Sequence, residues 1–281
     1  MLWLVVTDIH GNLPALQAVF ASPEARRCDR IISLGDHTNF GPQPREVQQL
    51  LEHLGAVMLL GNHEERLSHL NEARFQPYNW GILHWTAAQL RDLRITWPTD
   101  YQIGPVWCTH GTPGDPYQLV RGDGAWEALS RLPQGVTHLV SGHNHISWQV
   151  TQDGRMAFNP GSLGVLEDPV GGMAAFGVLE VTGRDVHITR HLVPYDVNET
   201  ARAYLASGCA KAAPEISRLI LNTMRRGVIS TLELFNHVSK TAAELGLDPG
   251  SREAWQAGDL TWQWPEPIPS VEFWNDLERE L

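Results

Sequence analysis

Apolar residues fall in short unbroken runs in the first part of the chain, and the runs stop at glycine or at residues that bind metals or move protons. Leu2 to Thr7 is the first, valine-rich and suited to a strand buried on both faces. Ile31 to Leu34 and Val57 to Leu60 repeat the form. Between these runs the period changes. Pro14 sits where a first helical turn tolerates it, and Leu13, Leu16, Val19 and Phe20 recur at helical spacing. Behind Pro44, the residues Val47, Leu50, Leu51 and Leu54 form an apolar stripe. A longer helix is expected from about Asn79 to Leu93, with Leu83, Ala87, Leu90 and Leu93 on one face.

The second half reads differently. Short strands are expected at Val106 to Thr109 and His138 to Ser141. Trp148 to Thr151 and Met156 to Phe158 flank Asp153-Gly154, a strong hairpin signal. Ala174 to Val181 and Asp185 to Val193 flank Thr182-Gly183-Arg184 in the same way. Strands alternating with helices, followed by antiparallel pairs, predict an α/β layered domain of mixed sheets covered by helices. From about residue 197 the pattern turns helical: Ile216, Leu219, Ile220 and Met224 share one face, and Leu234, Val238, Ala242 and Leu245 another. The tail is rich in tryptophan and proline, with Trp262, Trp264, Pro265, Pro267 and Pro269. The expected division is a domain of residues 1–196 and a helical extension of residues 197–281, packed on the domain or bridging to a protein partner or second copy.

Composition narrows the class. A chain of 281 residues with 42% hydrophobic and 19% charged residues can build a real core. Its formal net charge of -11 argues against nucleic acid as a partner. Cys28, Cys108 and Cys209 lie far apart and show no zinc-type or redox spacing, which predicts a reducing, cytoplasmic setting. The apolar start has the length of a strand, and no stretch is long enough to span a bilayer.

The strand ends carry the chemistry. Asp8 and His10, two apart, leave an extended backbone on one face, at the carboxyl end where α/β sheets bind ligands. The next ends read Gly35-Asp36 and Gly61-Asn62-His63-Glu64, then His110-Gly111 and Gly142-His143-Asn144-His145. Taken singly each has a bland reading. Asp8 could cap the following helix, Asp36 could bond its own turn, and Asn62 could be an N-cap. All five segments share one form, however: an apolar strand followed by a ligand-type residue. Carboxylates, imidazoles and one amide, with no thiolate, make a donor set suited to Mn²⁺, Fe or Zn²⁺.

Their order and content resemble the calcineurin-like metallophosphoesterases over about residues 1 to 195. Asn159-Pro160-Gly161-Ser162 and Asn39-Phe40-Gly41-Pro42 are similar to segments of that superfamily's small bacterial phosphodiesterases. The resemblance implies a four-layer αββα sandwich of two mixed sheets flanked by helices. It also implies two divalent ions, Mn²⁺ foremost. Asp8, His10, Asp36 and His145 would surround one ion, and Asp36, Asn62, His110 and His143 the other. It implies His63 as the group that touches the substrate phosphate and protonates the leaving oxygen, with Asn39 as a further phosphate contact. The activity implied is hydrolysis of a small phosphate ester, more a diester than a monoester, by in-line attack of a hydroxide held between the ions.

Two departures stand out. Glu64 replaces an aspartate common in the family, which bears on the support of His63. The loop after Asp36 lacks the arginine of protein phosphatases. Rival readings are a non-catalytic scaffold of the same fold, which binds a protein partner and in one retromer subunit lacks the catalytic histidine, and a monoesterase or nuclease.

Overall fold

Leu2–Val6 (β1) becomes the middle of a sheet, and its alternation shows why it is apolar throughout. Trp3 and Val5 point toward a second sheet, whereas Leu4 and Val6 face helices. The computed structural model describes residues 1–93, 95–120 and 124–264. After β1 come α1 (Leu13–Ala21), a short α2 (Pro23–Arg26), β2 (Arg30–Ser33), α3 (Pro44–His53), β3 (Val57–Met58), α4 (Asn62–Leu67) and α5 (Gly81–Leu90). The second half runs β4 (Asp100–Ile103), β5 (Val106–Thr109), α6 (Gly124–Ser130), β6 (His138–Val140), β7 (Trp148–Gln152), β8 (Arg155–Asn159), β9 (Met173–Thr182) and β10 (Asp185–Pro194).

The first sheet has the order β10-β9-β1-β2-β3, and the second β4-β5-β6-β8-β7. Both are mixed: β1, β2 and β3 pair in parallel while β9 joins β1 antiparallel. In the second sheet β5, β6 and β8 are parallel, and β4 and β7 run antiparallel at its edges. Leu16, Val19, Val47 and Leu51 of α1 and α3 cover the outer face of the first sheet. Val5, Ile32, Val106, Val140 and Phe158 interlock between the sheets. Ala125 and Leu129 of α6 cover Leu139 and Ala157 on the far side. The four expected layers are therefore present.

Both hairpins form where expected. Gln152 pairs with Arg155 across Asp153 and Gly154, which have φ of 52° and 73°, the double left-handed turn that suits a two-residue hairpin loop. Two of the bland alternatives do not form, and one expected helix bound needs correction. Asn12, not Asp8, caps α1, its side chain accepting from the Ala15 N–H. Gly61 holds the N-cap of α4, so Asn62 is the first helical residue and its side chain is free for other work. The helix expected over 79–93 ends at Leu90, and a 3₁₀ turn at Tyr78–Trp80 precedes it. The edge strand β4 was not anticipated.

Helices continue as α7 (Val197–Ser207), α8 (Cys209–Ala212), α9 (Pro214–Arg226), α10 (Thr231–Leu245) and α11 (Arg252–Thr261). They share a core of Tyr204, Ile216, Leu219, Ile220, Leu234, Val238 and Trp255 that also takes in Ile82 and Val165, with Phe40 packed against it. This helical region therefore lies on the layered part of the chain, beside the loop that follows β2. Trp262 and Trp264 pack against the same core; Pro265, Pro267 and Pro269 lie outside the described residues. Among the described residues no helix is long and apolar enough to cross a membrane.

Candidate metal centre

The carboxyl ends of β1, β2, β3, β5 and β6 converge because small residues let the backbones touch. A Cβ on Gly61 would sit 2.1 Å from Asp36 Oδ1, and one on Gly142 would sit 2.0 Å from Thr7 Oγ1. Any side chain at either position would push Asn62 away from Asp36, or His143 away from Asp8. The loops are strained as well as tight. Asp8, His10, Asp36, Asn39, Phe40 and His143 all have φ between 50° and 64° without being glycine, a conformation that clusters where a site over-determines the backbone.

Each carboxylate has one oxygen tied down and one turned inward. Asp8 Oδ2 accepts from Thr7 Oγ1 at 2.7 Å and from the His143 N–H at 3.0 Å. Its Oδ1 lies 3.5 Å from His145 Nε2 and 4.0 Å from His10 Nε2. Asp36 Oδ1 accepts the His63 N–H at 2.9 Å. Its Oδ2 is 3.3 Å from His110 Nε2 and 3.8 Å from the Nε2 atoms of both His10 and His63. Ligand-type atoms thus gather in overlapping groups: Asp8, His10 and His145; His10, Asp36 and His63; Asp36, His110 and His143. Every site residue expected from the sequence lies in or against this cluster, and most are fully buried.

Three of the histidines are aimed by their outer nitrogens. His10 Nδ1 faces the Thr38 carbonyl at 3.3 Å, and His143 Nε2 faces the Tyr117 carbonyl at 3.1 Å. His145 Nδ1 lies 3.0 Å from a Glu167 carboxylate oxygen. Such partners fix the tautomer and leave the inner nitrogen as a lone-pair donor.

Two contacts test whether these groups suit a cation. His10 Nε2 and His145 Nε2 stand 3.1 Å apart, nitrogen to nitrogen. The Asn62 amide oxygen meets Asp36 Oδ2 at 3.0 Å, His110 Nε2 at 2.9 Å and His143 Nδ1 at 3.0 Å, while its nitrogen faces the Arg66 guanidinium. Lone-pair atoms crowded this closely around two buried carboxylates need a shared proton or a cation between them, and the oxygen and nitrogen donor set fits metal ions. The ionisation behaviour agrees. Burial pushes the Asp36 carboxyl up, but the imidazoles of His110 and His63 outweigh it and hold the group well below the usual range. Burial lowers His110, yet Asp36 reverses this and carries it to about 9. The carboxylates demand positive charge in a place without solvent.

His63 is set apart from the rest. Asn39 Nδ2 approaches its Nδ1 at 2.5 Å, Arg66 Nη1 approaches its Nε2 at 3.0 Å, and the Phe40 ring packs edge-on at 4.6 Å. Burial first, then the Arg66 charge and neighbouring imidazoles, hold it well below its usual value despite Asp36. Glu64 does not support it: that carboxylate turns to the backbone of Asp36 and Thr38. Sequence reasoning missed Arg66, although its position three residues after His63 on a helix signals contact. It also missed Glu167, for which no local pattern exists.

Comparison with known proteins gives a consistent picture. The family model described as calcineurin-like phosphoesterase matches residues 1–158. An uncharacterised protein of Methanocaldococcus jannaschii is 25% identical, over 58% of this chain and 70% of its own. A metallophosphoesterase structure from Sphaerobacter thermophilus superposes with a TM-score of 0.67 at 25% identity, covering 80% of this chain and 99% of that one. A hypothetical protein from Pyrococcus horikoshii shares the fold, with a TM-score of 0.62 at 18% identity, over 82% and 99% of the two chains.

Proposed function

Because the chain belongs to the calcineurin-like phosphoesterase family, we propose that it is a two-metal hydrolase of small phosphodiesters. The observation that carries this reading is the placement of Asp36, whose Oδ2 lies within 3.8 Å of His10 on one side and 3.3 Å of His110 on the other. Asp8, His10 and His145 with Asp36 would hold one ion; Asp36, Asn62, His110 and His143 would hold the other. The oxygen and nitrogen donors favour Mn²⁺, with Fe or Zn²⁺ as alternatives. When bound, such ions lower the pKa of water and offset charge on the phosphate.

The chain's own groups do the rest. Arg66 and Asn39 flank His63 and can contact phosphate oxygens. His63 gives a proton to the departing ester oxygen. Burial and Arg66 disfavour its charged form, and an anionic phosphate brought alongside opposes both influences. The diester preference is supported by the Asn39-Phe40-Gly41-Pro42 loop after Asp36, where protein phosphatases carry an arginine. The net charge of -11 speaks against polynucleotide substrates. We also propose the division into a catalytic domain of residues 1–196 and an extension from residue 197, in a cytoplasmic protein.

Hydrolysis of bis(p-nitrophenyl) phosphate tests this. It should require added Mn²⁺, stop with chelator, and exceed hydrolysis of p-nitrophenyl phosphate. A faster monoester reaction would overturn the diester assignment, and inertness toward both with Mn²⁺, Fe²⁺ and Zn²⁺ would overturn the whole reading.

A further inference from the structure

The residues around His63 also border a cavity that the catalytic reading leaves unused. Asn39, Phe40 and Arg66 form its inner rim. Trp80 and Leu83 line it from the turn before α5 and from α5 itself, and Ile220 and Phe235 close it from α9 and α10. We propose, resting on the phosphoesterase reading, that this cavity receives the departing alcohol of the substrate, and that this alcohol carries a single apolar ring.

Position supports the role. The Phe40 ring lies 4.6 Å from that of His63 and 4.8 Å from that of His10, so one side chain separates the metal centre from the cavity. An ester oxygen placed against His63 would send its substituent past Phe40 and Arg66, which border both His63 and the cavity. Size and chemistry narrow the substituent. The cavity measures ≈ 140 Å³, and an apolar protein cavity of about 150 Å³ admits benzene. Most of the lining is aliphatic or aromatic. The Arg66 guanidinium lies 5.4 Å over the Trp80 ring and 3.0 Å from His63 Nε2, so its charge stays at the mouth. A sugar or a charged headgroup would lose its hydration against such walls; a ring would not.

The extension builds this feature. Ile220 and Phe235 supply one wall, and Tyr204 of α7 donates its hydroxyl to the Phe40 carbonyl. That bond holds a loop in which Asn39 and Phe40 both have left-handed backbones. The helices after residue 197 therefore set substrate choice for the site below them.

Benzyl methyl phosphate tests the inference within one molecule. Attack of water at phosphorus releases either benzyl alcohol, leaving methyl phosphate, or methanol, leaving benzyl phosphate; the two alcohols have similar acidity. The metal-loaded full chain should release benzyl alcohol in preference by about 10- to 100-fold, the factor expected from burying a ring. Ile220→Trp fills the cavity and should bring the ratio close to one. Should that variant fail to fold, Phe235→Ala removes part of the wall and should lower the ratio several-fold. Equal release by the native chain, or an unchanged ratio in a folded variant, overturns the proposal. If no diester is cleaved, the diester reading fails instead, and calorimetry decides the cavity. Benzylphosphonate should then bind the metal-loaded chain at least about tenfold more tightly than methylphosphonate, and equal affinity would refute the ring site.

Discussion

Glu64 Oε2 accepts the backbone N–H of Asp36 at 2.9 Å, across 28 positions of chain. Its Oε1 accepts the N–H and hydroxyl of Thr38 at 3.0 and 2.8 Å, and Oε2 also accepts the Gly61 N–H at 3.1 Å. A buried carboxylate thus clamps the left-handed turn at Asp36, the residue shared by the ligand groups. Burial and the Asp36 charge push its pKa up to about 7, while the Thr38 donors favour the ionised form. An aspartate here would be one methylene short of the turn. Replacing Glu64 by glutamine sets an amide NH₂ against backbone donors. We expect a loss of about 2–4 kcal/mol in urea unfolding and weaker metal uptake. Unchanged stability would show that the clamp is dispensable.

His63 is buried yet, in our assignment, contributes no metal ligand. His63→Ala should therefore keep its metal content by elemental analysis while turnover of a diester falls by about 10²–10⁴, the range for a lost proton donor. Near-normal turnover would remove His63 from the reaction.

Metal removal should act on the fold as well as on the rate. Buried carboxylates and imidazoles whose acceptors face one another gain most from cations. At a free metal concentration of about 100 times Kd the stabilisation is about 2.7 kcal/mol, so chelation should lower Tm by about 5–10 °C. Asp36→Asn should lose both ions together, because a neutral amide bridges poorly. An Asp36→Asn protein that retained its full complement would contradict the shared role.

The clustered carboxylates and imidazoles were legible because strand ends are short-range features. A valine-rich run followed by Asp8-x-His10, or by Gly35-Asp36, states both the strand and what stands at its end. Hairpins at Asp153-Gly154 and Gly183 were legible for the same local reason. What escaped reading depends on distance or on weak pattern. β4 reads Asp-Tyr-Gln-Ile, polar because it is an edge strand paired only with β5. Glu167 reaches His145 from a loop with no periodicity. Asn62 kept an N-cap alternative because Gly61, which takes that place, was read only as part of the motif. Nothing local in residues 197–264 could announce that Tyr204 bonds to Phe40, 164 positions earlier.

The thiols report on how those helices pack. Burial pushes Cys108 up to about 12 and raises Cys209 further still, whereas half-buried Cys28 is raised less decisively. Since the thiolate is the reactive form, iodoacetamide should label Cys28 alone in the native chain. Its rate should still climb above pH 9, because a raised pKa delays ionisation. Early labelling of Cys209 would mean that α8 and α9 leave the domain in solution.

Tyr204→Phe separates the extension's effect on the site from its effect on the fold. Tyr204 is fully buried, and the substitution keeps its ring among Ile216, Leu219 and their neighbours while deleting one hydroxyl. The Phe40 carbonyl loses its donor, at a cost of about 1 kcal/mol, in a loop whose Asn39 and Phe40 already occupy an unfavourable backbone region. Because this loop borders both His63 and the cavity, the loosening should raise KM for a ring-bearing diester by about five-fold. KM for a methyl diester should rise less, since it meets this loop only through Asn39 and does not reach past Phe40, and the metal content should be unchanged. A variant that loses stability but treats both diesters as the native chain does would confine Tyr204 to holding the helices in place.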